Sequence, residues 1–62
     1  SQDVYLEIVF AYCKEFNIRL DKNILRSQAL EWSITRGARS GRVAWQFIQD
    51  IASKQKVKSN HH

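Results

Sequence analysis

The sequence contains no proline and no methionine, and only two glycines and one cysteine among its 62 residues. With no proline, and with Gly37 and Gly41 both near the middle, the stretches on either side are free to run as uninterrupted helices. A lone Cys13 excludes an internal disulfide and suits a reducing compartment. No apolar run approaches the roughly 18 residues that a membrane span needs, and no signal-peptide pattern is present. A soluble, cytoplasmic chain without membrane contact is therefore expected. There is no phosphate-binding loop of the G-x-x-x-x-G-K-[ST] kind, no spacing that would hold a metal, and no nucleophile paired with a base.

Length excludes more. A chain of 62 residues makes one small domain, too short for a complete nucleotide-binding or barrel enzyme. Such a chain buries only about 60% of the surface its unfolded form exposes. A binding module, or a piece of something larger, is the expectation. The first residue is Ser1 rather than Met, which fits an excised fragment, and His61 and His62 are compatible with a tag remnant and receive no metal-binding role.

What is present points to a folded helical domain. Hydrophobic residues make up 44% of the chain and charged residues 26%, a globular balance. Asp3 to Phe16 carries apolar residues at positions 4, 5, 8, 9, 12 and 16, the recurrence of one helical face. Ser1 or Asp3 can cap its start. After a short connection, Asn17 to Leu20, Asp21 caps a second helix that runs to about Thr35, with Leu25, Ala29 and Trp32 on one side. Gly37 stands where a helix end needs a left-handed residue. A third helix runs from about Arg39 to Ser53, with Val43, Ala44, Phe47, Ile48 and Ile51 on its apolar side and Arg42, Gln46, Gln49 and Ser53 opposite.

The expected fold class is therefore all-α, a small three-helix bundle over residues 1–53, followed by a frayed basic tail over 54–62 that holds Lys54, Lys56 and Lys58. Its core is expected to hold Leu25, Trp32, Val43, Ala44, Phe47, Ile48 and Ile51, joined by Val4, Ile8, Tyr12 and Phe16. Beyond these faces the first helix also carries Leu6, Phe10 and Cys13, and the second carries Leu30 and Ile34. An interface patch drawn from Leu6, Phe10, Leu30 and Ile34 is expected to stay partly exposed, because a three-helix bundle buries one wide face per helix. Cys13 reads as a packed thiol. Trp32 and Trp45 read as packing groups, Trp45 at the edge of its helix's apolar side.

The net charge is +4, and its densest part is Thr35 to Phe47, "TRGARSGRVAWQF". Arg36, Arg39 and Arg42 recur every three residues there, with glycines between them. The amides of a helix's first turn lack intrahelical partners and point along a dipole that favours anions. Arginines at that end oppose the dipole, so they fit a role at a bound anion. Taken alone, the spacing favours ion pairs to Glu31, Asp50 or Glu15, or plain solvation, over an anion site.

Tyr5-Leu6, Ile8-Val9, "ALEW" at 29–32 and above all R-G-x-R-S-G-R-x-A-x-Q-F at 36–47 resemble the C-terminal helical lid of a bacterial family of predicted AAA+ ATPases of unknown function. The "GAR" of Gly37-Ala38-Arg39 is similar to the sensor-two motif of AAA+ ATPases. That resemblance implies a lid closing over ATP and its Mg, both held mainly by a large domain absent from this chain. Arg39 would be the sensor-two arginine, Arg42 a second phosphate contact, and Gly37 part of the same turn. It implies as partners the large domain of the full-length parent chain and a neighbouring subunit. Walker A, Walker B, sensor one and the arginine finger are all missing, so the fragment alone is not an enzyme and binds no cofactor by itself. The alternative is a small basic helix-turn-helix module reading DNA with Ser40, Arg42, Gln46 and Gln49. The apolar first helix and the sparse positive charge after Arg42 make nucleic acid the lesser fit.

Overall fold

The computed structural model describes residues 2–59, with side chains through Gln55, as three helices: α1 (Gln2–Glu15), α2 (Lys22–Arg36) and α3 (Gly41–Ser59). No strand occurs among the described residues. The expected all-α three-helix bundle is what the chain forms.

Local chemistry sets the ends of α2. Asp21 caps its start, a carboxylate oxygen accepting from the backbone N–H groups of Asn23 at 3.0 Å and Ile24 at 3.2 Å. At its far end Gly37 is left-handed, with φ 72° and ψ 21°. The Gly37 N–H donates to Ser33 O and Ile34 O, and the Ala38 N–H to Ser33 O, so carbonyls that the helix leaves open are satisfied. The end of α1 repeats this arrangement with a different residue. Asn17 adopts φ 57°, its N–H donates to Lys14 O, and the Ile18 N–H donates to Cys13 O at 2.9 Å.

The core is Tyr5, Leu6, Val9 and Cys13 from α1, Leu25 and Ala29 from α2, and Val43, Ala44, Phe47, Ile48 and Ile51 from α3. Each large apolar side chain buried this way is worth about 1.5–3 kcal/mol. Every expected core residue of α3 is buried, as is Leu25. Trp32 is half-buried against the cluster.

The rotation of α1 departs from expectation. Val4 and Phe16 are exposed, and Ile8 and Tyr12 are half-buried. Tyr5, Leu6, Val9 and Cys13 point inward instead. A small residue on α2 suits this choice. Ala29 is fully buried and lets Tyr5 approach the α2 backbone. The Tyr5 hydroxyl donates to Ala29 O at 2.7 Å, and burial raises its pKa above the ordinary tyrosine value. Buried Ser33 donates its own hydroxyl to Leu30 O at 2.7 Å, so it leaves no open donor.

The third helix also outruns its expected end. α3 continues past Ser53, where the spacing ended it, to Ser59. Loss of apolar periodicity does not stop a helix when no glycine or proline intervenes and the residues are good helix formers. Lys54 pairs with Asp50 one turn earlier, at 3.0 Å. The Gln55 side-chain amide donates to Arg19 O at 3.2 Å, tying α3 to the connection between α1 and α2. Ser1, offered as a cap for α1, and residues 60–62, with both histidines, lie outside the described residues.

Candidate functional site

The α2–α3 turn, residues 37–40, carries the arginine cluster. The left-handed backbone at Gly37 reverses the chain, and Ser40 then caps α3. Its hydroxyl oxygen accepts from the Val43 N–H at 3.2 Å, and its carbonyl accepts from the Ala44 N–H at 3.0 Å. Arg39 therefore precedes the cap, outside the helix, while Arg42 is the second residue of α3. Both are exposed. Among the described residues no acceptor meets the N–H groups of Gly41 and Arg42, the first two of α3. A Cβ placed on Gly41 would meet nothing within 4 Å, so the backbone there is open to approach.

The three arginines fare differently. Arg36, the last residue of α2, lays its guanidinium over the Trp32 ring, 3.7 Å from the centroid. Trp32 is in turn tilted against Phe47, with ring centroids 5.8 Å apart. Arg39 and Arg42 pair with no carboxylate among the described residues, where the one ion pair is that of Lys54 with Asp50. Pairing with Glu31, Asp50 or Glu15 is thus not what holds them. Two solvated guanidinium groups stand around a helix start whose first amides are free. That arrangement suits an anion with several oxygens.

Beside Arg39 lies a shallow hollow of about 400 Å³, lined also by Ser33, Ile34, Gly37 and Ala38. Gly37 contributes backbone shape and no side chain. Ile34, on the hollow's rim, is 73% exposed, the barest large apolar residue described.

The expected interface quartet does not survive whole. Leu6 is a core residue, 4% exposed, because α1 is rotated to place it inward. Phe10 and Leu30 are half-buried against the core, and the Lys22 ammonium sits 5.4 Å from the Phe10 ring centroid. Phe10 and Leu30 keep the partial exposure expected of them and Ile34 is open, so Leu6 is the residue that departs from expectation. Cys13 is buried, and burial raises its thiol pKa, which leaves less of the reactive thiolate. Trp45 is partly exposed at the edge of the apolar side of α3, as its position in the sequence implied. Among the described residues no group of three or more His, Cys, Asp or Glu side chains is placed to hold a metal. No helix among them is long and apolar enough to cross a membrane.

Sequence reasoning missed two features. The Arg36–Trp32 stack had a signal, an arginine one helical turn after an aromatic residue. The outward turn of Val4, Ile8, Tyr12 and Phe16 had none in the periodicity.

No curated protein and no solved structure matches the chain significantly. A family model described as "Protein of unknown function (DUF815)" matches residues 1–55, most of the chain. The chain belongs to this DUF815 family.

Proposed function

We propose that this chain is the C-terminal lid of an AAA+ ATPase, which closes over ATP held by a large domain and supplies a sensor-two arginine, Arg39. The observation that carries the reading is the position of Arg39. It is exposed, without an ion-pair partner, and set one residue before the Ser40 cap of α3, beside first-turn amides that face no acceptor. The motif resemblance at residues 36–47 supplies the rest.

In this reading Arg39 reaches the nucleotide phosphates across the cleft, where a preorganised cation stabilises developing negative charge. Arg42, the second residue of α3, adds a second contact. Gly37 fixes the turn from which Arg39 projects. ATP with its Mg is held mainly by the large domain, so the lid by itself turns over nothing. Because the Arg39 contact depends on the γ-phosphate, hydrolysis releases it and changes the angle between lid and large domain. Ile34, exposed on the same edge, is the apolar residue that the large domain or a neighbouring subunit would cover.

The test is a distance measurement in the longer protein that carries this chain as its lid. Paired labels at Ser53, exposed on α3, and on the large domain should report a shorter separation with a non-hydrolysable ATP analogue than with ADP. An unchanged distance in both states contradicts the lid reading.

A further inference from the structure

Val4, Ile8, Tyr12 and Phe16 stand on α1 and its first following residue at intervals of four. This ridge lies outside the core. Val4 is 54% exposed and Phe16 46%, with Ile8 and Tyr12 half-buried between them. The Phe16 N–H donates to Tyr12 O at 2.9 Å, which keeps Phe16 on the helical path. The Tyr12 and Phe16 rings, centroids 6.1 Å apart, extend the ridge as one aromatic surface.

A second row runs beside it, one residue earlier in every turn: Asp3, Glu7, Ala11 and Glu15, all exposed. Residues four apart form neighbouring ridges on a helix, so an acidic ridge lies alongside the apolar one on the solvent side. Among the described residues none of these three carboxylates has an ion-pair partner. Asp3 has a local reason to be there, since a negative charge favours the first turn of a helix. Glu7 and Glu15 have none. Asp3 and Glu7 repel at i, i+4, and Glu15 sits in the last turn, where the dipole disfavours it. The chain as a whole is at +4, yet α1 holds these acids against Lys14 alone.

We propose that this face of α1 docks a basic amphipathic helix of a partner protein. The partner's apolar ridge packs along Val4, Ile8, Tyr12 and Phe16, and its flanking Lys or Arg side chains meet Glu7 and Glu15. Packing of two four-residue ridges sets the helices at about −50° to each other. Charge selects the occupant: a second copy offering its own α1 would set acidic ridge against acidic ridge. An extended segment would not match the four-residue interval.

The test uses the full 62-residue chain and two synthetic helical peptides of equal length. Each carries leucines every three or four residues, flanked by lysine in one and by glutamate in the other. Binding is followed by backbone amide NMR shifts. The lysine peptide is expected to saturate, to shift the amides of residues 3–16 most, and to bind more weakly as salt rises. The double reversal Glu7→Lys with Glu15→Lys changes exposed positions only. It is expected to weaken the lysine peptide roughly fivefold or more and to strengthen the glutamate peptide. Phe16→Ala, which leaves the charges alone, is expected to weaken both peptides; circular dichroism checks that each variant keeps its helices. Absence of lysine-peptide binding, equal binding of both peptides, insensitivity to the double reversal, or shifts centred on α2 and α3 would each overturn the proposal. Concentration-dependent dimerisation through α1 would also overturn it, making a second copy the occupant.

Discussion

The Arg36 guanidinium lies over the Trp32 indole, 3.7 Å from the ring centroid, and divides the arginine cluster into one residue that packs and two that do not. The stack is local, spanning one turn of α2, and it covers a tryptophan that also packs against Phe47. Arg36→Ala is expected to cost about 0.5–1 kcal/mol. Arg39→Ala, at an exposed turn position, is expected to cost less than about 0.5 kcal/mol. Urea unfolding followed by tryptophan fluorescence separates the two. Equal losses would mean that the stack contributes nothing beyond a surface side chain.

Tyr5 joins α1 to α2 through one buried hydrogen bond to Ala29 O. Tyr5→Phe is expected to destabilise the bundle by about 1 kcal/mol. Burial raises the Tyr5 pKa, so the folded state holds the phenolic proton more tightly than the unfolded chain does. That contribution is complete below the unfolded value near 10. It is lost as pH rises through the higher folded value. Stability above about pH 10 is therefore expected to fall more steeply in the wild type than in Tyr5→Phe. Parallel pH profiles for the two would contradict the burial of this hydroxyl.

Two helices end on left-handed residues, Asn17 and Gly37. Asn17→Gly is expected to stabilise by about 0.5 kcal/mol, because glycine adopts that backbone without steric cost. Gly37→Ala is expected to destabilise by about 1 kcal/mol. Space is not the reason, since a Cβ at Gly37 would meet nothing within 4 Å. Thermal melts of the two variants should move in opposite directions.

The caps were legible in the sequence because they depend on neighbours: Asp21 acts on amides two and three residues on, and Gly37 follows the last turn it closes. The apolar side of α3 was legible because Arg42, Gln46, Gln49 and Ser53 leave a single alternative. The rotation of α1 was not. Apolar residues at 4, 5, 6, 8, 9, 10, 12 and 13 wrap more than half of that helix, so periodicity permits several inward faces. The choice comes from far along the chain, where the carbonyl of buried Ala29 accepts from the Tyr5 hydroxyl. Of the candidate site, the arginine cluster was visible as a run of charge, but which guanidinium is engaged depends on Trp32. Leu6 was misplaced for the same reason as Val4: both follow from the rotation of α1.

Duplex DNA is expected to bind this chain only as charge attraction dictates. Between Gly41 and Ser53 the exposed side of α3 offers Arg42, Gln49 and Ser53 beside a partly exposed Trp45, and Arg42 is the one positive charge of that stretch. A panel of duplex sequences at moderate salt should give affinities within a few-fold of one another, all weakening steeply as salt rises. Strong discrimination between sequences would instead favour a helix-turn-helix reader.

ATP turnover by the AAA+ protein proposed to carry this chain as its lid, compared between wild type, Arg39→Ala and Arg42→Ala, tests the sensor-two assignment most directly. Arg39→Ala is expected to lower turnover on the order of 100-fold, the usual scale for losing one donor aimed at developing charge. The lid should stay folded, because Arg39 lies outside both the core and the helix. Arg42→Ala, three residues later and within the first turn of α3, is expected to lose less. Normal turnover, nucleotide affinity and lid response in Arg39→Ala would contradict the assignment and leave Arg39 a solvated turn residue.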